Sequence, residues 1–194
     1  MTHNQHDAGS NALIALGANL PSVHGNPAET LNVAIRGLAE QVGVIRAISS
    51  FFATPAFPKG NGPDYVNAAV QIETALDAQA ILERLHRIEA DCGRVRVERW
   101  GQRTLDLDLI ALGQTVLPDA ARQTEWRTLP PERQIQAVPG ELILPHPRLQ
   151  DRAFVLVPLA QIAPEWRHPL TGATIRAMLA ALPAADLAEV RPLT

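Results

Sequence analysis

The sequence predicts an α+β fold with a ferredoxin-like βαββαβ core, in which an antiparallel sheet carries its helices on one face. Two observations predict it. Over residues 12–112, strand-forming runs and amphipathic helical segments follow one another in the order βαββαβ, and both amphipathic segments begin at a residue that can cap a helix. Short C-terminal helices and an inserted loop complete the prediction. With 194 residues and 46% hydrophobic composition, we expect a single domain over residues 11–194, after a disordered tail of residues 1–10.

The first strand and helix follow from the N-terminal part of the chain. Residues 12–16 (ALIAL) form a short apolar run that ends at Gly17, which is typical of a buried strand that leads into a loop. Asn26, Pro27 and Glu29 suit the N-cap, first and third positions of a helix. The apolar residues on one face of this helix are Leu31, Ala34, Ile35, Leu38 and Val42.

The middle of the chain predicts two strands, a second helix and a fourth strand. Residues 44–54 and 65–73 are rich in β-forming side chains, and the segment between them, TPAFPKGNGPD, is dense in proline and glycine. Loops of that length are often functional. Asp77 is expected to cap the second helix and Gly93 to end it, and residues 104–112 supply the last core strand.

The last third of the chain departs from the core pattern. Residues 114–140 contain prolines and the polar run DAARQTEWR, and we interpret them as an insertion or flap. Residues 154–162 and 174–182 predict two short C-terminal helices. The sequence shows no internal repeat and no separate linker, so these segments are assigned to the same domain.

Charge and cysteine content exclude several classes of protein. A formal net charge of -3 leaves no polybasic surface for nucleic acid or an anionic membrane. The N-terminal residues lack the apolar stretch of a secretory signal, and no apolar run reaches the ~20 residues of a membrane helix. The single cysteine, Cys92, excludes an internal disulfide framework. We therefore expect a cytoplasmic protein with no nucleic-acid or membrane partner, and we expect it to be a monomer.

Two aspartates lie within the last predicted core strand, in the motif TLDLDLI. Because residues i and i+2 of a strand project from the same face, Asp106 and Asp108 point one way and the leucines beside them point into the core. Two carboxylates this close repel each other unless a cation lies between them, and Mg²⁺ prefers hard oxygen ligands supplied together with substrate phosphates. The alternative interpretation is an acidic strand face that meets only solvent.

Several arginines precede this strand, around Trp100 and Gly101. Guanidinium groups match phosphate oxygens, and beside a carboxylate-bound metal they favour a polyphosphate site over a set of surface ion pairs. The chain lacks the G-x-x-x-x-G-K-[ST] phosphate loop, so ATP would be bound by another architecture. The arginines are Arg94, Arg96, Arg99 and Arg103.

A series of motifs in fixed order carries a resemblance to a known family: ALGANL, SSFFATPAF, PDYVNAAV, GRVRVERWGQRTLDLDLI, LPHPRLQDRAFVLVPL and IAP. They resemble the 6-hydroxymethyl-7,8-dihydropterin pyrophosphokinases of folate biosynthesis over most of the chain. The resemblance implies transfer of pyrophosphate from ATP to the pterin hydroxymethyl oxygen, by displacement at the β phosphorus with release of AMP. It implies no covalent enzyme intermediate, and the sequence identifies no general base.

The resemblance also implies the catalytic and nucleotide-binding residues. Asp106 and Asp108 would hold two Mg²⁺ ions that bridge the phosphates of ATP, the co-substrate, and Arg94 and Arg103 would complete the catalytic set. The expected nucleotide pocket consists of Glu89, Arg94, Arg96, Arg103, Ile143, His146 and Arg152.

The implied pterin pocket combines aromatic faces with a polar reader. A flat bicyclic ring is held by stacking on Tyr65 and Phe154, and Asn67 would read its hydrogen-bonding edge. For each aromatic taken alone, core filling is the ordinary interpretation. The expected pterin pocket consists of Thr54, Pro55, Phe57, Tyr65, Asn67, Trp100 and Phe154.

Three features depart from the family pattern. Ala18 stands where serine is common, Gln102 replaces a proline, and residues 114–140 are longer than the usual connection. None of them removes a metal ligand. Gln102 is expected to loosen the arginine-rich loop, because a proline would restrict its unbound conformations.

Two other classes remain open from the residues alone. A two-metal phosphodiesterase could use the same aspartates, although the sequence shows no further cluster of Asp, Glu or His to complete a hydrolytic site. A ferredoxin-like nucleic-acid-binding module needs exposed aromatics and a basic face. One tyrosine, four phenylalanines and a net negative charge do not favour it.

Overall fold

The structure is a computed structural model that describes residues 9–56, 62–93, 104–130, 133 and 139–193. Residues 1–8 of the predicted disordered tail lie outside the described residues. The first strand begins within the remainder of that tail, at Ser10.

The strands form one antiparallel sheet around the central pair β1 and β4. β1 pairs with β4 on one side and with β5 on the other, while β2 and β3 pair with the far side of β4. This strand order confirms the predicted ferredoxin-like core. The strands are β1 (Ser10–Ala18), β2 (Val44–Ile48), β3 (Phe52–Thr54), β4 (Tyr65–Thr74), β5 (Asp106–Leu112) and β6 (Arg191–Pro192), the last of which pairs with β3.

The predicted strand over residues 44–54 is divided in two. The break lies at Ser49, whose backbone N–H donates to the Ala69 carbonyl at 2.9 Å. The Ser49 hydroxyl in turn accepts the Ala69 N–H at 2.9 Å. These two bonds attach the break to β4, so both halves remain part of the same sheet.

Side-chain caps begin the two core helices as the sequence predicts. Asn26 and Glu29 form a capping box, in which the Asn26 side chain accepts the Glu29 N–H at 3.0 Å and the Glu29 carboxylate accepts the Asn26 N–H at 2.8 Å. Asp77 accepts the Ala80 N–H at 2.8 Å, and Gly93 follows the helix with a φ of 80°. The helices are α1 (Pro27–Gln41), α2 (Ala78–Asp91), α3 (Ala120–Arg127), α4 (Ala153–Ile162), α5 (Ile175–Ala180) and α6 (Ala184–Ala188).

Two apolar clusters cover the two faces of the sheet. On one face, Ile14 and Leu16 of β1 pack against α1 and α2, as predicted for the core helices. On the other face, Leu13 of β1, Ala69 of β4 and Ile110 of β5 pack against α4 and α5. The C-terminal helices therefore cover the apolar part of the second face.

Residues 114–140, which the sequence analysis interprets as an insertion or flap, contain a helix that the sequence did not predict. Asp119 caps α3 by accepting the Arg122 N–H at 2.9 Å. Gln123 is buried and donates to the Pro145 carbonyl at 3.1 Å, which fixes the helix to the chain that returns towards α4. Residues 131–132 and 134–138 of the insertion lie outside the described residues. Of the helices described, none is both long and apolar enough to cross a membrane.

The capping box of α1 should stabilise the fold measurably. Replacing Asn26 by alanine leaves the Glu29 N–H without its side-chain acceptor, so we expect the free energy of unfolding to fall by about 1 kcal/mol in urea titrations. Glu40→Ala, at an exposed position of the same helix, is the control and should stay within about 0.5 kcal/mol of the unmodified protein. Equal stability of the two variants would contradict the assigned cap.

Candidate active site

The two aspartates of β5 project as the sequence predicts. The neighbouring side chains of Leu105, Leu107 and Leu109 are all buried in the core beneath α1 and α2. Asp106 and Asp108 alternate with them and are partly exposed. The carboxylates therefore lie on the opposite face of the sheet, beyond the part that α4 and α5 cover.

The strand register aligns Asp106 with Asn67, two strands away. Asp106 lies opposite Gly17 of β1, Gly17 lies opposite Asn67 of β4, and Asn67 lies opposite Phe52 of β3. Directly opposed residues of an antiparallel sheet share a face. With strands about 4.8 Å apart, the Asp106 and Asn67 backbones are separated by roughly 10 Å across Gly17. We call Asp106, Gly17 and Asn67 the site row.

Gly17 is a candidate site position whose place the sequence did not predict, because it lies inside β1 rather than at the end of the strand. A Cβ atom built on it would lie 3.2 Å from the Asn67 Oδ1 atom, which is tighter than an ordinary contact. A glycine inside a strand often marks such a close approach, and this is the signal that could have identified it. Without a side chain at this position, the space between Asp106 and Asn67 stays open.

The amide of Asn67 is oriented by Thr54. The Asn67 Nδ2 donates to the Thr54 hydroxyl at 2.7 Å, and both side chains are buried, with 5% and 7% exposed. Tyr65, two residues earlier on β4, lies opposite Thr54 and is half-buried. The structure thus brings three of the predicted pterin residues together, next to Pro55 in sequence.

The start of α4 brings a cation and an aromatic ring to the aspartates. The Arg152 Nη1 lies 4.0 Å from the Asp108 Oδ2. Its guanidinium carbon lies 5.6 Å from the centre of the Phe154 ring, within the range of a cation–π contact. Phe154 is 39% exposed, so part of the ring remains open to a ligand. One arginine therefore contacts a predicted metal ligand and a predicted stacking ring.

His146 is held as a neutral imidazole beside this group. Its Nδ1 accepts the Arg148 N–H at 3.1 Å, which places the proton on Nε2. Burial, with Arg152 and Arg148 nearby, lowers the pKa of His146 to about 3, although Asp106 acts in the opposite direction. A neutral Nε2–H can donate to a phosphate oxygen but does not accept a proton near neutral pH while Nδ1 remains engaged.

Two predicted nucleotide residues have buried side chains. Glu89 is 2% exposed, and its Oε1 accepts the Leu107 N–H at 2.8 Å, between the two aspartates of β5. Ile143 is 4% exposed, which leaves its backbone as the part that could face a nucleotide. The predicted residues Phe57, Arg94, Arg96, Trp100 and Arg103 lie outside the described residues.

The donor set at the aspartates suits a metal that is shared with a substrate. Among residues 9–56, 62–93, 104–130, 133 and 139–193, no group of three or more His, Cys, Asp or Glu side chains could hold a metal ion. Two carboxylates on one face are what Mg²⁺ commonly takes from a protein when substrate phosphates and water complete its shell. The residues present therefore fit Mg²⁺ bound together with a polyphosphate.

Paired carboxylates beside an arginine suit an enzyme of phosphoryl transfer, because carboxylates can share a metal ion with phosphates and a guanidinium group matches phosphate oxygens. The model of the 7,8-dihydro-6-hydroxymethylpterin-pyrophosphokinase (HPPK) family matches residues 13–164. The chain belongs to this family and is thus an ATP-dependent diphosphotransferase.

Relatives from several bacteria carry the same name, 2-amino-4-hydroxy-6-hydroxymethyldihydropteridine pyrophosphokinase. The chain is 39% identical to the Synechocystis sp. PCC 6803 protein over 165 aligned residues. The alignment covers 84% of this chain and 72% of the relative. The chain is 37% identical to the Haemophilus influenzae protein, over 78% and 81% of the two chains. It is 35% identical to the Methylorubrum extorquens protein, in an alignment that covers 92% of this chain and 98% of the relative.

Solved structures with the same fold come from Plasmodium falciparum HPPK-DHPS. The wild-type crystal structure with SDX-DHP gives a TM-score of 0.63 at 15% identity, over 88% of this chain and 43% of that chain. The A437G/K540E form with pterin and p-hydroxybenzoate gives 0.65 at 14% identity, over 91% and 44%. This chain spans less than half of those longer chains, and at such identity the likeness shows the fold.

The open space above Gly17 should matter for the pterin more than for the nucleotide. In Gly17→Ala the new methyl group would press on the Asn67 amide, which Thr54 holds in place, and overpacking of this kind costs about 1–3 kcal/mol. We expect pterin affinity to fall about tenfold in calorimetry, with nucleotide affinity unchanged. Gly140→Ala is the control, since its Cβ would meet nothing within 4 Å. Unchanged pterin affinity in Gly17→Ala would contradict the role of the site row.

The lowered pKa of His146 predicts how this residue affects stability. An unfolded histidine takes up a proton near pH 6.5, whereas the folded His146 has a pKa of about 3, so the unfolded chain binds more protons between these values. The stability of the unmodified protein should therefore fall more steeply from pH 7 to pH 5 than that of His146→Gln, in urea titrations. Ring nitrogen shifts that titrate near pH 6.5 would contradict the half-buried, neutral imidazole.

Proposed function

We propose that the protein transfers pyrophosphate from ATP to the hydroxymethyl group of 6-hydroxymethyl-7,8-dihydropterin, in folate biosynthesis. The pterin oxygen attacks the β phosphorus and releases its proton to water, the bond from that phosphorus to the α,β-bridging oxygen breaks with its electron pair staying on that oxygen, and AMP leaves. The family match and the common name of the bacterial relatives support this reaction.

The site row is the observation that carries the proposal. Asn67, oriented by Thr54, can read the polar edge of a flat ring at one end, and Asp106 supplies a carboxylate at the other. The separation of roughly 10 Å across Gly17 is comparable to the length of a bicyclic ring with a hydroxymethyl arm. A pterin bound at Asn67 would thus point its reacting oxygen towards the aspartates.

Asp106 and Asp108 would hold two Mg²⁺ ions together with the ATP phosphates. When bound, such ions neutralise phosphate charge and hold the reacting oxygens in line. The protein's own contribution is the fixed strand that presents both carboxylates on one face. Arg152 lies beside Asp108, where it would neutralise a phosphate, and the Nε2–H of His146 would donate to one.

Ring stacking and charge stabilisation by arginines complete the proposed mechanism. Phe154 and Tyr65 would hold the two faces of the pterin ring, with Pro55, Phe57 and Trp100 around it. Arg94 and Arg103 would engage the transferring group, where charge stabilisation lowers the barrier, and Arg96 would contact the nucleotide. These assignments, and a monomer acting in the cytoplasm, stay predictions.

The two aspartates provide the direct test. An assay containing ATP, Mg²⁺ and 6-hydroxymethyl-7,8-dihydropterin should release AMP, and Asp106→Ala or Asp108→Ala should lower kcat about a hundredfold or more, because metal ions contribute several kcal/mol to the transition state. Both variants should fold, since these side chains are partly exposed. Asp186→Ala, exposed on α6, is the matched control and should keep full activity.

The same assay separates the proposed transfer from hydrolysis. AMP should appear only when the pterin alcohol is present, in equal amount to the pterin pyrophosphate. AMP release without the pterin would favour a phosphodiesterase, and near-normal kcat in either aspartate variant would remove the two-metal proposal.

A further inference from the structure

Glu89 is a buried acidic residue that accepts a hydrogen bond from the backbone of β5. It lies on α2 and is 2% exposed, so almost none of its side chain is available to a nucleotide. Its Oε1 accepts the N–H of Leu107 at 2.8 Å. Leu107 is the residue between Asp106 and Asp108, so this bond is formed at the centre of the proposed metal-binding motif.

The position of β5 in the sheet explains why this bond matters. Within the described sheet, β5 lies at the edge and β1 is its one neighbour. Alternate N–H groups of an edge strand point away from the sheet and lack a partner strand. Glu89 supplies an acceptor to one of them, and a bond to a carboxylate is stronger than one between neutral groups. The side chain thus attaches the outer edge of β5 to α2.

We propose that Glu89 is a positioning residue that acts on metal binding through β5. This inference rests on the proposed function, in which Asp106 and Asp108 hold Mg²⁺. The inner edge of β5 pairs with β1, where Asp106 lies opposite Gly17 and Asp108 lies opposite Ala15. The outer edge of β5 is bound by Glu89 at Leu107. Together these bonds set the spacing and direction of the two carboxylates, so that the site is formed before metal and nucleotide arrive.

Two substitutions separate reach from charge. Glu89→Gln keeps the length of the side chain and an acceptor oxygen but removes the charge, so it should lose less metal affinity than Glu89→Asp does. Glu89→Asp keeps the charge but shortens the side chain by one methylene, which takes the carboxylate out of reach of the Leu107 N–H. It should bind metal about tenfold more weakly, because residues that orient metal ligands typically contribute 10- to 100-fold to affinity.

A matched control accounts for stability alone. Thr74 is also buried, and its hydroxyl donates to the Val42 carbonyl at 2.6 Å, at the end of β4 away from Asn67. Thr74→Val should lower the free energy of unfolding without changing metal affinity. A loss of metal affinity in this control equal to that in Glu89→Asp would show that general destabilisation is sufficient, and would overturn the inference.

The measurements are Mn²⁺ binding by electron paramagnetic resonance in the presence of α,β-methylene ATP, and exchange of the Leu107 amide hydrogen. Glu89→Asp should weaken Mn²⁺ binding, speed Leu107 exchange and lower kcat, with the KM for the pterin unchanged.

If Glu89→Gln loses affinity while Glu89→Asp keeps it, charge rather than reach is required and the inference is wrong. Failure of the unmodified protein to bind Mn²⁺ with the nucleotide analogue would overturn the metal proposal itself, whereas equal affinity in Glu89→Asp would overturn this inference alone.

Discussion

The register of β1 between β4 and β5 is the constraint on which the site depends. It places Asp106, Gly17 and Asn67 directly opposite one another on three neighbouring strands. A shift of one residue in the pairing of β1 with β5 would turn the aspartates into the core beneath α1 and α2 and bring the leucines to the site, and the same shift between β1 and β4 would turn Asn67 away from it. The same alternation that buries Leu107 and Leu109 therefore also presents the carboxylates, so the core and the chemistry enforce the same register.

The second face of the sheet is divided between packing and function. Leu13, Ala69 and Ile110 are covered by the C-terminal helices, while the end that carries the site row is left for ligands. The start of α4 lies at this boundary, where Arg152 contacts both Asp108 and Phe154. The short helices that follow the core thus do more than cover apolar surface, because they supply the cation and the ring at the edge of the site.

Electrostatics at this boundary favour a neutral imidazole among charged groups. Arg148 and Arg152 oppose protonation of His146, and the bond from the Arg148 N–H to Nδ1 engages the nitrogen that would accept a proton. The charge that a polyphosphate brings can therefore be met by the arginines, with the histidine as a neutral donor. These groups stabilise charge, which suits the proposed transfer of pyrophosphate.

The sequence by itself determined the core elements, their caps and the face on which the aspartates lie, because periodicity, capping and strand alternation are local properties. It did not predict α3, since eight residues of low apolar content are recognised as a helix only once Asp119 and the buried Gln123 have partners. Nor did it identify the role of Gly17 or the partner of Glu89. Those depend on which strands are neighbours and in what register, and contacts between residues far apart in the chain are decided by packing in the tertiary structure.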